Sequence, residues 1–317
     1  MTLGIRRRRR RVRPWWAIFA LVVHFPVGAA PNVVVSIAPL HSLVSAILEG
    51  VAEPALLMRG QQSPHTHRLR PSQVRAIYGA DLVFWIGPGL ESGLARYLRE
   101  RPPREAISLA AIPEVRLLQA RRGGLWPDTE GPDLDVSNRG VANQPNIDPH
   151  LWLDPQNAIV WAQAIAARLI AIDPNNRDRY EANLGALQNE LWQTESQVIN
   201  ALKAADHQTF LVIHDSYQYF EKRFGIPAAG ALLVGDQHQP GARRVGMLRA
   251  QLEQSGAACI AFQPQFSERL VETIAEGFTV NTARVDPLGS HLEPGRQFYA
   301  ELLTDIAKRL AQCLTSE

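Results

Sequence analysis

From Asn175 to Ala204 the chain reads NNRDRYEANLGALQNELWQTESQVINALKA, the clearest helix in the sequence. Tyr180, Leu184, Leu187, Leu191, Val198 and Leu202 recur at three-, four- and seven-residue spacing along one face, and Glu181, Asn183, Gln188 and Glu190 occupy the other. Pro174 sits where a first-turn proline helps to start a helix. At ~1.5 Å per residue the stretch spans ~45 Å, and Gly185 is its only weak point. The pattern predicts one uninterrupted, stiff joint between whatever lies on either side, so wide closure is harder here than across flexible crossover strands.

Both sides repeat one pattern. Ahead of the helix, Val33 to Ile37, Ala55 to Met58, Asp81 to Ile86 and Ala106 to Leu109 read as buried strands, with helices at Pro39 to Glu49 and Pro71 to Tyr78. Behind it, Thr209 to Ile213, Ala231 to Val234, Cys259 to Phe262 and Asn281 to Val285 continue the series. Alternating strands and helices imply parallel sheets covered on both faces. The predicted fold class is α/β: two similar parallel-sheet lobes joined by one long rigid helix, with a ligand site in the cleft between them. The expected division is an N-terminal lobe over 30–174, the linking helix over 175–204 and a C-terminal lobe over 205–317. Arg121 to Asn146 carries Gly123, Gly124, Pro127, Gly131, Pro132 and several acids without periodicity, and reads as a mobile surface loop.

Residues 1–29 read as an export signal. Six arginines, Arg6 to Arg11, and Arg13 precede the apolar run Trp15 to Val23, and Val27-Gly28-Ala29 places cleavage near Ala29. That run is shorter than the ~20 residues of a spanning helix. The whole chain has 33 basic and 31 acidic residues; the signal takes seven arginines and no acid, leaving 26 basic against 31 acidic, a net charge of −5. The basic balance thus belongs to the signal, and nucleic-acid binding loses its support. A soluble periplasmic protein is expected. In an oxidising compartment the two cysteines, Cys259 and Cys313, read as one structural disulfide closing a loop of roughly 55 residues, with a pair of buried thiols as the alternative.

Ligands of open parallel sheets bind in the crevice at the carboxyl ends of the strands. His214 follows the strand ending at Ile213, Asp286 follows the strand ending at Val285, His65 lies after the Ala55 to Met58 strand, and His150 precedes a helix beginning near Gln156. Imidazoles brought together this way suit Zn²⁺, whose exchangeable sites use three protein ligands and one further position.

Ser63-Pro64-His65 followed by Leu69-Arg70-Pro71-Ser72, the run Ala80 to Glu91, Asp148 to Pro155, His214 to Phe220, Gln263 to Phe266 with Glu268, and Asp286 to Gly289 occur in this order. Together, from about Val33 to Leu314, they resemble the periplasmic zinc-binding proteins of ATP-binding-cassette (ABC) uptake transporters, within a metal-receptor cluster that also carries manganese. The resemblance implies that His65, His150 and His214 bind Zn²⁺ in the interlobe cleft and that the ion passes to a membrane ABC permease. It implies a monomeric solute-binding protein, not an enzyme. Some relatives place an acid before the first histidine; here that residue is Pro64, so Asp286 or water is left to close the shell, and His67 is a weaker alternative. His41, His207, His238 and His291 match no ligand motif. Manganese receptors carry a carboxylate where this chain has His214, and three imidazoles favour zinc. Many zinc receptors also carry a histidine-rich loop before the second ligand, and Arg121 to Asn146 has no histidine.

Two other readings stay beside this one. A manganese or iron receptor, or an adhesin, is built on the same scaffold. A zinc hydrolase would need a general base beside the metal-bound water, for which only Asp215 and Glu268 offer themselves; His-Glu-x-x-His, Gly-x-Ser-x-Gly and Gly-x-Gly-x-x-Gly are absent.

Overall fold

The structure is a computed structural model that describes residues 30–100, 102–121, 123–126, 147–205, 208–233 and 242–316. The expected export signal, most of the 121–146 stretch, His207 and His238 lie outside the described residues.

The first sheet has four parallel strands, β1 (Val33–Val35), β2 (Ala55–Leu56), β3 (Leu82–Trp85) and β4 (Ala106–Ser108), in the order β2-β1-β3-β4. Helices α1 (Ala38–Leu48), α2 (Pro71–Tyr78) and α3 (Ser92–Glu100) run between them. Backbone pairing continues past β2, because Leu57 and Met58 donate to Val35 and Ser36. The second sheet has the order β5-β7-β6-β8-β9, formed by β5 (Gly124–Leu125), β6 (Phe210–His214), β7 (Ala228–Leu233), β8 (Cys259–Phe262) and β9 (Asn281–Arg284). All its pairs are parallel except β5 with β7. This corrects the reading of Arg121 to Asn146 as loop throughout: its opening residues form an edge strand, and the first half of the chain thereby completes the sheet of the second.

Between the sheets, α4 (Pro155–Ile172) leads through a 3₁₀ turn at Pro174–Asn176 into α5 (Arg177–Leu202). The long helix forms as its periodicity predicts, with Tyr180, Leu187, Leu191, Val198 and Leu202 buried. It is not the only joint. The C-terminal helix α9 (Phe298–Thr315) packs on α5 and also on α1 of the first lobe. Ser42 in α1 donates to the Arg296 carbonyl at 2.6 Å and accepts from the Tyr299 amide at 3.0 Å.

Alternation along the second sheet explains its two faces. Phe210, Val212, Cys259 and Ala261 join a core continuous with the first lobe, whereas Leu211, Ile213, Ile260 and Phe262 face outward onto α7 (Ala242–Ser255) and α8 (Glu268–Ala275). A disulfide between Cys259 and Cys313 ties the start of β8 to the end of α9. Among the described residues no helix is long and apolar enough to cross a membrane.

Candidate metal centre

Three local devices aim the three histidines. His65 lies in a turn in which the Thr66 amide donates to the Ser63 carbonyl. His150 opens the 3₁₀ turn Leu151–Leu153, whose exit is fixed by Asp154, the N-cap of α4, accepting from the Gln156 amide at 2.9 Å. His214 is the last residue of β6. In each sheet the strand order reverses beside the central strand, next to β1 in one and β6 in the other, where the loops part and leave a crevice.

The rings meet there. Their centroids are 5.5 Å apart for His65 and His150, 5.9 Å for His65 and His214, and 5.4 Å for His150 and His214. One ring nitrogen from each lies within 4.8 Å of the others. At Zn–N distances of ~2.0–2.1 Å a tetrahedral ion sets its nitrogens about 3.4 Å apart, so a small contraction suffices. Around them is a cavity of about 30 Å³, walled by Pro64, Trp152, Phe266 and Leu288 among others.

His150 is held at two points by one carboxylate. Asp148 Oδ1 accepts from its backbone amide at 3.0 Å and lies 2.7 Å from Nδ1, so Nε2 is the ring atom that could hold a metal. Asp148 is itself braced: its carbonyl accepts from the Tyr219 hydroxyl, 3.1 Å away, and its amide donates to Leu118. Burial pushes the Asp148 carboxyl up to about 6, against the opposing pull of the His150 amide and Arg121.

Arg121 braces the neighbour of His214. Its guanidinium donates to both oxygens of Asp215, at 2.6 and 3.0 Å, and to both of Glu221, at 2.8 and 2.7 Å, and it stacks 3.6 Å over Trp126. It thus clamps the residue after His214 and the first turns of α6 (Gln218–Phe224) onto the segment that enters β5. Sequence reasoning missed this residue. The available signal was a pair of acids, Asp215 in the strand-to-helix connection and Glu221 in the first turn of α6, both of which need a cation when buried.

The remaining candidates fall elsewhere. Asp286 is buried two residues beyond the edge strand β9, and its two oxygens accept from the Leu288 amide at 2.9 Å and the Ser290 amide at 2.6 Å. It caps its own loop and is not in the group of mutually close donors. His67 lies 3.4 Å from Gln73 and is likewise outside that group; burial lowers its pKa. His41 is a core residue, 3.0 Å from the Pro54 carbonyl, and His291 pairs with Asp305 at 3.1 Å. The two bases a hydrolase would call on are engaged, Asp215 by Arg121 and Glu268 by Arg284 at 3.1 Å.

Three converging imidazoles form a borderline-donor cluster that could hold a metal ion, and the chain matches the family described as "Zinc-uptake complex component A periplasmic" over residues 33–313. The chain belongs to that family. Among zinc-uptake relatives, the high-affinity zinc uptake system protein ZnuA of Brucella suis biovar 1 (strain 1330) is 34% identical over 310 residues, covering 91% of this chain and 93% of that protein. ZnuA of Yersinia pestis is 32% identical over 297 residues, covering 90% and 92%. A crystal structure of ZnuA superimposes with a TM-score of 0.73 at 24% identity, over 90% of this chain and all of that one, so the fold is shared.

Proposed function

We propose that this member of the zinc-uptake family is the periplasmic receptor of an ABC transporter: it captures Zn²⁺ in the cleft and delivers it to the membrane permease. The observation that carries this reading is the approach of His65, His150 and His214, each from a separate motif, to within 4.8 Å. Neutral imidazoles favour zinc over manganese, which prefers oxygen donors. The ion is cargo, not a cofactor, and among the described residues the two candidate bases, Asp215 and Glu268, are held in ion pairs.

In this proposal the three histidines are the protein ligands and water completes the shell. Asp286 would have to loosen a backbone bond of its loop to join them. Release needs only the loss of one imidazole or a small lobe displacement. The lobe division expected from sequence, 30–174, 175–204 and 205–317, is kept with one amendment, the β5 strand crossing to the second sheet. A monomer, exported by a signal cut near Ala29, completes the reading.

Native mass spectrometry with elemental analysis of the zinc-loaded mature protein is expected to show one tightly held zinc per chain. His150→Ala should weaken zinc by more than the ~10–100-fold typical of losing an outer-shell partner. Equal affinity in the two proteins would remove the site assignment, and Mn²⁺ displacing Zn²⁺ in competition would remove the choice of ion.

A further inference from the structure

The wall of the cleft holds a buried amide that is only half engaged. Gln263, the residue after β8, is 3% exposed and lines the same cavity as the three imidazoles. Its amide orientation is determined by its neighbours. Nε2 lies 3.3 Å from the His214 carbonyl, which can only accept, and 2.7 Å from Ser216 Oγ. Oε1 is therefore the other end of the amide, and it is buried with no hydrogen-bond partner among the described residues.

Burying an unmatched amide oxygen is costly, so such a group in a native core calls for a reason. Gln263 lines a cavity of about 30 Å³, room for a water molecule, together with the three imidazoles, and a zinc held by three ligands keeps a fourth position. A water on a divalent cation is a strong hydrogen-bond donor, because the ion polarises its O–H bonds.

Resting on the zinc reading above, we infer that Gln263 is a positioning residue whose Oε1 accepts a hydrogen bond from the water that completes the coordination shell of the bound cation. A neutral acceptor orders that water without adding negative charge to the site, which keeps the ion releasable. Through Nε2 the same amide is anchored to the strand end that carries His214.

Cobalt(II) in the mature chain tests this, because its visible absorption reports the ligand set and azide competes for the water position. Azide is expected to change the wild-type spectrum. Gln263→Leu, which lacks the acceptor, should bind azide about 10-fold more tightly and zinc about 10-fold more weakly. Gln263→Glu keeps an acceptor and adds charge, so it should bind azide more weakly than wild type. Gln263→Met serves as the acceptor-free variant if the leucine protein does not fold. No azide response in wild type, or equal shifts in the Leu and Glu variants, would overturn the inference. His150→Ala separates the two levels: if it binds zinc normally the zinc reading fails, and if only the Gln263 variants behave as wild type this inference alone fails.

Discussion

At the scale of single residues, the candidate site depends on groups outside the three imidazoles. Asp148 holds the His150 ring in one tautomer and orientation, so Asp148→Asn should weaken zinc by about 10–100-fold in a chelator competition while the fold persists. Acid acts on the same parts. Ligating imidazoles must be neutral, and burial sets the Asp148 carboxyl at about 6, so zinc affinity should fall as pH drops through about 6. A flat affinity profile across that range would contradict imidazole ligation. The candidate trio could be picked out of the sequence because each histidine sits in its own short motif, His214 at the end of a strand, His150 at the opening of a helical turn and His65 in the turn between β2 and α2. The contacts of Arg121 and Gln263 could not. Arg121 is 94 residues from Asp215 and Gln263 is 47 from Ser216, and no local pattern encodes a contact made only by packing.

Among the elements, the strands and the long helix followed from apolar runs and periodicity, since burial on two faces or on one face leaves that imprint directly. The short strand β5 left none. Two residues, one of them glycine, carry no alternation, and what recruits them is the backbone of β7. Two glycine substitutions read these elements in opposite directions. A methyl group at Gly185 in α5 would meet nothing within 4 Å, so Gly185→Ala should stabilise by about 0.5–1 kcal/mol in urea unfolding. One at Gly230 in β7 would fall 2.3 Å from the Gly124 carbonyl, so Gly230→Ala should push β5 off its partner and destabilise the protein in the same assay.

Over the whole molecule, stiffness is built in more than once. Trp152 donates to the Pro287 carbonyl at 2.7 Å and the Tyr299 hydroxyl donates to the Trp152 carbonyl at 2.6 Å, so bonds cross between the halves beside the metal cleft as well as along α5 and α9. Small-angle X-ray scattering should therefore give the same radius of gyration with and without zinc; a marked contraction on loading would mean that the joints yield. The disulfide works at the opposite end of the second sheet's strands, and replacing both cysteines by serine should cost about 4 kcal/mol in the chain-entropy account, read as a lower denaturation midpoint. The strand that passes from one half to the other sets a further limit on how this protein can be divided. A gene cut at the long helix would encode a C-terminal piece whose sheet ends on bare β7, with its amides and carbonyls open to any passing chain. The two halves would have to be made together to stay soluble, and evolution cannot shuffle either one as an independent cassette.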